Sequence, residues 1–491
     1  MTADLHRANY RITFIVLAVG VAAYSLLQSL VAPVLPLLQT NLHTTQNTVT
    51  WVLTAYLLSA SVCTPILGRI GDMVGKEKVL VGVLIALAAG SILAAVAGSI
   101  SVMIVARAIQ GAGGGIIPLA FGIIRDEFPR EKVPGAVGVI AALLAVGGGV
   151  GLALAGPIVN VLDYHWLFWI PGVLVAGAAL ATYLVVPESP VRTSGRISWL
   201  AGLLLSGWLV ALLVAVSEAP IWGWLSVPVI GLLLGSVLLA AGWILVELRA
   251  ARPLIDMRMM RLPAVWTTNL VALLFGIGLY ATFAFIPAFL QTPTTAGYGF
   301  TASITESGLL VLPMSLTMFI FGAASGALSA RFGARLVIIV GSAVSIPPFL
   351  ILAFASQHIW EIIVAMLLLG TGFGLAFSAM SNIIVDSVPS TQTGVASGMN
   401  ANIRTVGGAL GAAVMASIVT SRMSASGLPR ASGYTAGFTM LAVSLALAAL
   451  AGLLIPKLRV ERDAHQLEQL GMSHPQLAIV AAGTVVGDES E

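Results

Sequence analysis

Residues 68–97 read GRIGDMVGKEKVLVGVLIALAAGSILAAVA. A run with five charged residues ends at Lys78, and nineteen residues without a charge follow, Val79–Ala97. A helix needs roughly 20 apolar residues to cross the hydrocarbon core of a bilayer. The chain repeats this alternation throughout its 491 residues: 58% are hydrophobic and only 9% charged. A soluble domain carries about 25% charged residues because it must wet its surface. The solvent implied here is lipid, and the fold class is an all-α polytopic membrane protein. Barrel strands would be shorter and half polar, which these blocks are not.

The N-terminal MTADLHRANYR leads into an apolar stretch too long for a signal-peptide core, so it reads as a retained first helix. The lone cysteine, Cys63, excludes an intrachain disulfide and a cysteine-built metal site, and its apolar surroundings favour a small core residue. Apolar blocks bounded by Gly, Pro and charge fall at 12–38, 50–68, 79–98, 101–124, 134–159, 166–186, 197–217, 226–247, 264–291, 304–330, 336–355, 359–385, 394–420 and 434–455, giving fourteen spans. With the N-terminus cytoplasmic, 19 of the 23 Lys and Arg fall inside. Arg422 and Arg430 fall outside, and Arg107 and Arg404 lie within spans. The positive-inside rule demands such an imbalance, which places both termini in the cytoplasm.

The chain also repeats itself at an offset of about 260 residues. IIRDEFP at 123–129 lies over IIVDSVP at 383–389, and GGGVG at 147–151 over GGALG at 407–411. GRIGDMVG at 68–75 lies near GALSARFG at 326–333. The offset equals eight spans, so the simplest architecture is a six-helix bundle (1–190), a two-helix insertion (191–262), a second six-helix bundle (263–456) and a cytoplasmic tail (457–491). Parallel repeats of this kind place a substrate site between bundles at mid-membrane, reached alternately from each side.

GRIGDMVGKEK (68–78) resembles the signature loop of the major facilitator superfamily, and the fourteen spans resemble its drug:proton antiporter branch most closely. Gly68 and Gly75 permit a tight turn and close helix approach. Asp72 suits the start of a neighbouring helix or a nearby arginine. The resemblance implies that this loop locks the outward-facing state, with Arg125 in the gate. Met73 stands where a basic residue usually follows the aspartate, and Ala330 replaces the aspartate in the second copy. RAIQGAGGG (107–115) resembles the family's fourth-helix motif, in which the arginine, here Arg107 with Gln110 beside it, is tied to proton coupling. An arginine that snorkels outward is the competing reading. No strand precedes these glycines, which argues against a nucleotide loop. GGGVGLALAGP (147–157), with Gly156 and Pro157, resembles the antiporter motif of the fifth helix, although helix packing alone explains dense glycine too. ELRAARPLID (247–256) and NIRTVGGALG (402–411), the latter with Arg404, also resemble the fourteen-helix branch.

One departure bears on coupling. The branch usually has an aspartate in the first helix, and SLLQSLVAPVLP (25–36) has Leu27 there. No carboxylate lies near a span centre. Glu306 is the best substitute proton carrier; a glutamate at a helix start is also favoured by the helix dipole alone. A lining of Tyr24, Gln28, Asn269, Tyr280, Phe283 and Asn400 suits bulky hydrophobic compounds. The sequence holds no Ser-His-Asp, metal or phosphate-loop constellation, so neither an enzyme nor a cofactor is expected, and nothing points to nucleic acid.

The expected function is export of small hydrophobic or amphipathic drug-like substrates by proton antiport, by a monomer in the lipid of the plasma membrane. Two readings stand beside it. One is export of an anionic metabolite or lipid-like molecule, suggested by Arg107 and Arg404 unmatched by deep acids. The other is a non-transporting membrane sensor or scaffold, which would have no need of a gate.

Overall fold

A computed structural model of the chain describes residues 10–189, 198–250, 253–421 and 428–456. The described residues up to Ile455 form one compact unit; the tail expected at 457–491 lies outside the described residues, as do Arg7, Arg192, Arg196, Arg252 and Arg422. The described residues contain no β-strand and fourteen helices long and apolar enough to cross a membrane: α1 Tyr10–Val34, α2 Thr48–Val74, α3 Lys76–Ala95, α4 Ile100–Glu127, α5 Arg130–Val161, α6 Trp166–Val185, α7 Trp199–Trp222, α8 Val227–Arg249, α9 Pro263–Gln291, α10 Ile304–Phe332, α11 Ala334–Phe354, α12 Ile359–Ser387, α13 Ser390–Thr420 and α14 Ala431–Gly452.

Most boundaries match the hydropathy blocks to within a turn, but α2 runs six residues past its block, so Gly68 and Asp72 lie in helix and only Gly75 makes a turn, and α7 runs five past its block. The first differs: α1 stops at Val34 and Leu35–Asn41 forms a short helix of its own. Pro33 and Pro36 lack the N–H donors that a continuous helix would need there.

Packing follows the sequence repeat. In the first half α5 and α6 pack on α1, and α4 packs on α2 and α3, with α3 also against α6. In the second half α13 and α14 pack on α9, and α12 packs on α10 and α11, with α11 against α14. Each contact in one half has its counterpart eight helices on. The halves then meet along two seams, α5 against α10 and α2 against α13. Glycine makes these seams close. A Cβ on Gly68 of α2 would fall 2.5 Å from the Gly394 carbonyl oxygen of α13. A Cβ on Gly326 of α10 would fall 3.0 Å from that of Pro134 of α5. The two glycines are the aligned residues of the repeat, so each half offers the other the same surface. The architecture is two six-helix bundles with two helices inserted between them in sequence.

The inserted pair does not hang free. Helix α7 packs on α8, and also on α2 and α13, alongside one seam. Its Leu205 and Leu209 are buried in a cluster with Val395, Met399 and Val406 of α13. Trp208 and Trp243 hold α7 to α8, their rings 6.1 Å apart.

Candidate gate and central basic site

The basic connections gather at one end of the bundle, and Asp72 is the residue that joins the two halves there. Helix α2 ends at Gly75, whose φ of 129° and N–H bond to the Gly71 carbonyl let the chain turn straight into α3. One turn before that end, the Asp72 carboxylate accepts the backbone N–H of Gly394 at 3.3 Å and of Val395 at 3.1 Å. These N–H groups belong to the first turn of the helix Thr393–Thr420, where no intrahelical acceptor exists and the helix dipole favours an anion. Asp72 therefore caps a helix of the other half. The Gly68–Gly394 approach makes this reach possible.

The pairing cation is Lys76. Its ammonium is fully buried, 3.6 Å from Asp72 and 2.7 Å from Asp126. In the sequence Lys76 is one of the nineteen basic residues counted inside; its burial depends on Asp126, fifty residues on, and no local signal reveals it. Arg125, beside Asp126, donates to the Thr393 hydroxyl at 2.7 Å, a second polar link across the same seam. The strand of chain leaving α6 is tied in as well, since Ser189 donates its N–H to Glu77 and its hydroxyl to Asp126. Ala330 stands at the matching place in the second half, so among the described residues the α5–α10 seam has no such clamp.

At the far end of that second seam, a Cβ on Gly156 would fall 2.4 Å from the Thr305 hydroxyl of α10, while Pro157 is exposed on the outer surface of α5. Glu306, next to Thr305, is exposed and completes a capping box: Ser303 bonds the Glu306 N–H, and Glu306 accepts the Ser303 N–H at 2.8 Å.

Deep in the bundle lie two guanidinium groups. Arg107 on α4 is fully buried and turned inward, so it does not snorkel. It donates to Gln110 at 2.7 Å, to the Val52 carbonyl at 3.1 Å and to the Leu27 carbonyl at 3.5 Å, and it lies 4.3 Å from the Tyr56 ring centroid. Its Nη2 has no partner among the described residues. The glycines after it form a 3-10 stretch, Gly111–Gly115, that admits neighbours at close range: a Cβ on Gly113 would fall 2.8 Å from the Tyr24 ring and one on Gly111 2.4 Å from Ser59. Arg404 on α13 is buried over Phe377, 4.2 Å from the ring centroid, with Asn400 Oδ1 at 3.5 Å. Asn400 in turn donates to Asn269 of α9 at 2.9 Å. Neither arginine makes an ion pair with a carboxylate among the described residues. Every Asp and Glu in a described span lies within about a turn of its end.

The residues expected to line a pocket fall in two groups. Tyr24, Asn269 and Asn400 are buried; Gln28, Tyr280 and Phe283 are half-buried. The Tyr24 ring lies 6.4 Å from that of Tyr56, the ring on which Arg107 rests. Tyr280 approaches Thr405 at 3.4 Å, and Phe283 faces Gly148 of α5 across the halves.

Two six-helix bundles related by repeat, a helix-capping clamp at one seam and a basic centre define a polytopic membrane protein of the two-bundle class. The sequence profile of the Major Facilitator Superfamily matches residues 17–412, and again 268–483. The chain belongs to that family. It is 28% identical over 421 residues to an MFS-type transporter of Mycobacterium tuberculosis, covering 84% of this chain and 59% of that protein. It is 28% identical over 379 residues to the multidrug transporter protein MdtP of Bacillus subtilis, covering 76% of this chain and 69% of MdtP. The chain thus spans less than two thirds of the mycobacterial relative's length. In three dimensions it resembles the human organic anion transporter MFSD10, with a TM-score of 0.67 and 18% identity over 90% of this chain and 99% of that one, a likeness of fold.

Proposed function

We propose that the chain is a secondary transporter that exports amphipathic, drug-like compounds by alternating access, with protons as the counter-ion. The observation that carries this reading is the Asp72 clamp. A carboxylate that caps a helix of the opposite half, on one seam and on one face only, is a releasable lock. A scaffold would gain nothing from it. The multidrug relative supports the substrate class. In this reading residues 1–190 and 263–456 rock about the seams, 191–262 ride with them, and the basic face is cytoplasmic, in the plasma membrane, with both termini on that side. The working unit is the monomer, since both seams lie within one chain.

The proton needs a titrating group, and arginine does not serve. We assign it to Glu306, at the outer end of the α5–α10 seam; Glu306 is exposed here and bonded in its capping box, so it can take up a proton near neutral pH only in the state that closes this end over it. The test is efflux of a panel of dyes and drugs from cells expressing the chain, with and without a proton uncoupler. Uncoupler-sensitive efflux of at least one amphipathic compound is expected. Absence of transport for the whole panel by a well-inserted protein sinks the reading.

A further inference from the structure

A small cavity lies where α4 of the first half meets α12 and α13 of the second. Arg404, Asn400, Ser397 and Ser381 line one part of it, Phe121 and Ile117 another. Its volume of about 10 Å³ is no more than a water's worth, so the halves are closed on it here. Its chemistry is one-sided. Arg404 is the only ionised group on its wall, and the Ser397 hydroxyl, also buried, has no partner among the described residues. Arg404 itself is held by a ring face, an amide oxygen and the Tyr280 hydroxyl, none of them a carboxylate. The second buried guanidinium, Arg107, is likewise held by carbonyls, an amide and a ring, with Nη2 left over. The bundle centre therefore carries two positive charges and, among the described residues, no negative one. Charge in a low-dielectric interior is unfavourable until it is compensated. A cationic ligand would add to the repulsion there, and an anionic one would relieve it.

Resting on the transport reading above, we infer that the compound carried has an anionic polar end, a carboxylate, sulfonate or phenolate on an apolar body, and that Arg404 meets that charge. The serine hydroxyls supply further donors, and Phe121 and Ile117 receive the start of the apolar body. Rocking of the halves about the seams is what enlarges the cavity to hold it.

The test uses two probes that share a xanthene ring and differ in charge, anionic fluorescein and a cationic rhodamine methyl ester. Binding of each to the purified full chain in lipid nanodiscs is measured by fluorescence polarisation, and transport of each separately in sealed vesicles. Fluorescein should bind at least about tenfold more tightly than the rhodamine. Arg404→Gln should weaken fluorescein binding about tenfold or more, and Arg404→Lys should restore most of it. Should Arg404→Gln fail to fold, Asn400→Asp supplies a carboxylate beside Arg404 and should weaken fluorescein binding in its place. Tighter binding of the rhodamine, or unchanged fluorescein binding in the variants, overturns the inference. Rhodamine transport in that event leaves the transport reading standing, whereas fluorescein binding with no transport of either probe overturns the transport reading alone.

Discussion

Asp72 of α2 and Val395 of α13 are more than three hundred residues apart in the chain and 3.1 Å apart in the fold, carboxylate oxygen to backbone nitrogen. Gly394 is held by the same carboxylate, so two donors at the start of one helix depend on one side chain of the other half. Asp72→Asn keeps one acceptor and loses the charge. The closed basic face should lose about 2 kcal/mol, or about 30-fold in the equilibrium. The measurement is labelling of a cysteine at Ser397, in a Cys63→Ser background, by a membrane-impermeant reagent applied from the basic face. The rate should rise and transport should fall, with insertion unchanged. Equal labelling and wild-type transport would leave Asp72 a topological anchor.

The glycine contact behind that clamp makes a sharper prediction. A methyl on Gly68 would sit 2.5 Å from the Gly394 carbonyl oxygen, and a methyl on Gly394 2.6 Å from that of Gly68. Both obstacles are backbone, which cannot swing aside. Gly68→Ala and Gly394→Ala should each hold the basic face open, giving faster Ser397→Cys labelling and loss of transport. Gly82→Ala, on α3 where a Cβ meets nothing within 4 Å, is the control and should leave both unchanged. Closure that survives both seam substitutions would show that the halves meet elsewhere.

The spans were legible in the sequence because a bilayer imposes a length on every helix that crosses it, and hydropathy reports that length directly. The repeat was legible too, and it reappears as exchanged contacts, Gly68 on Gly394 and Gly326 on Pro134. Lateral arrangement was not. Helix α7 reads as one more apolar block, and nothing in it announces that Leu205 and Leu209 cover the α13 side of a seam. The burial of Lys76 was hidden for the same reason: a lysine in a charged stretch is solvated unless a distant acid covers it, and Asp126 does. Arg107 and Arg404 stood out in advance because arginine inside an apolar helix has no ordinary place.

Glu306 can be tested without disturbing the helix it starts. Gln completes a capping box as Glu does, so Glu306→Gln should preserve the start of α10. If Glu306 carries the proton, uncoupler-sensitive export should vanish in Glu306→Gln, while downhill exchange of substrate continues at the wild-type rate. Loss of both activities would assign the residue a structural role, and retention of both would place the proton elsewhere.

The sharpest test of how the buried charge is used lies at Leu27. It is fully buried, and its carbonyl lies 3.5 Å from Arg107 Nη1, beside the Nη2 that has no hydrogen-bond partner among the described residues. An acid at this position would stand next to that guanidinium. Burying a carboxylate alone costs several kcal/mol, so Leu27→Asp should fold only because Arg107 offsets its charge. Arg107→Gln combined with Leu27→Asp should then express poorly, while either single variant inserts. In the folded Leu27→Asp protein the centre loses one of its two uncompensated positive charges and gains a group that can take up a proton. Fluorescein transport should weaken, rhodamine transport should appear or rise, and rhodamine efflux should depend on external pH. Leu27→Asn has the same shape without the charge and should show none of these gains. If Leu27→Asp and Leu27→Asn behave alike while both are inserted, charge at this position does not govern what is carried, and the preference must be set by Arg404 alone.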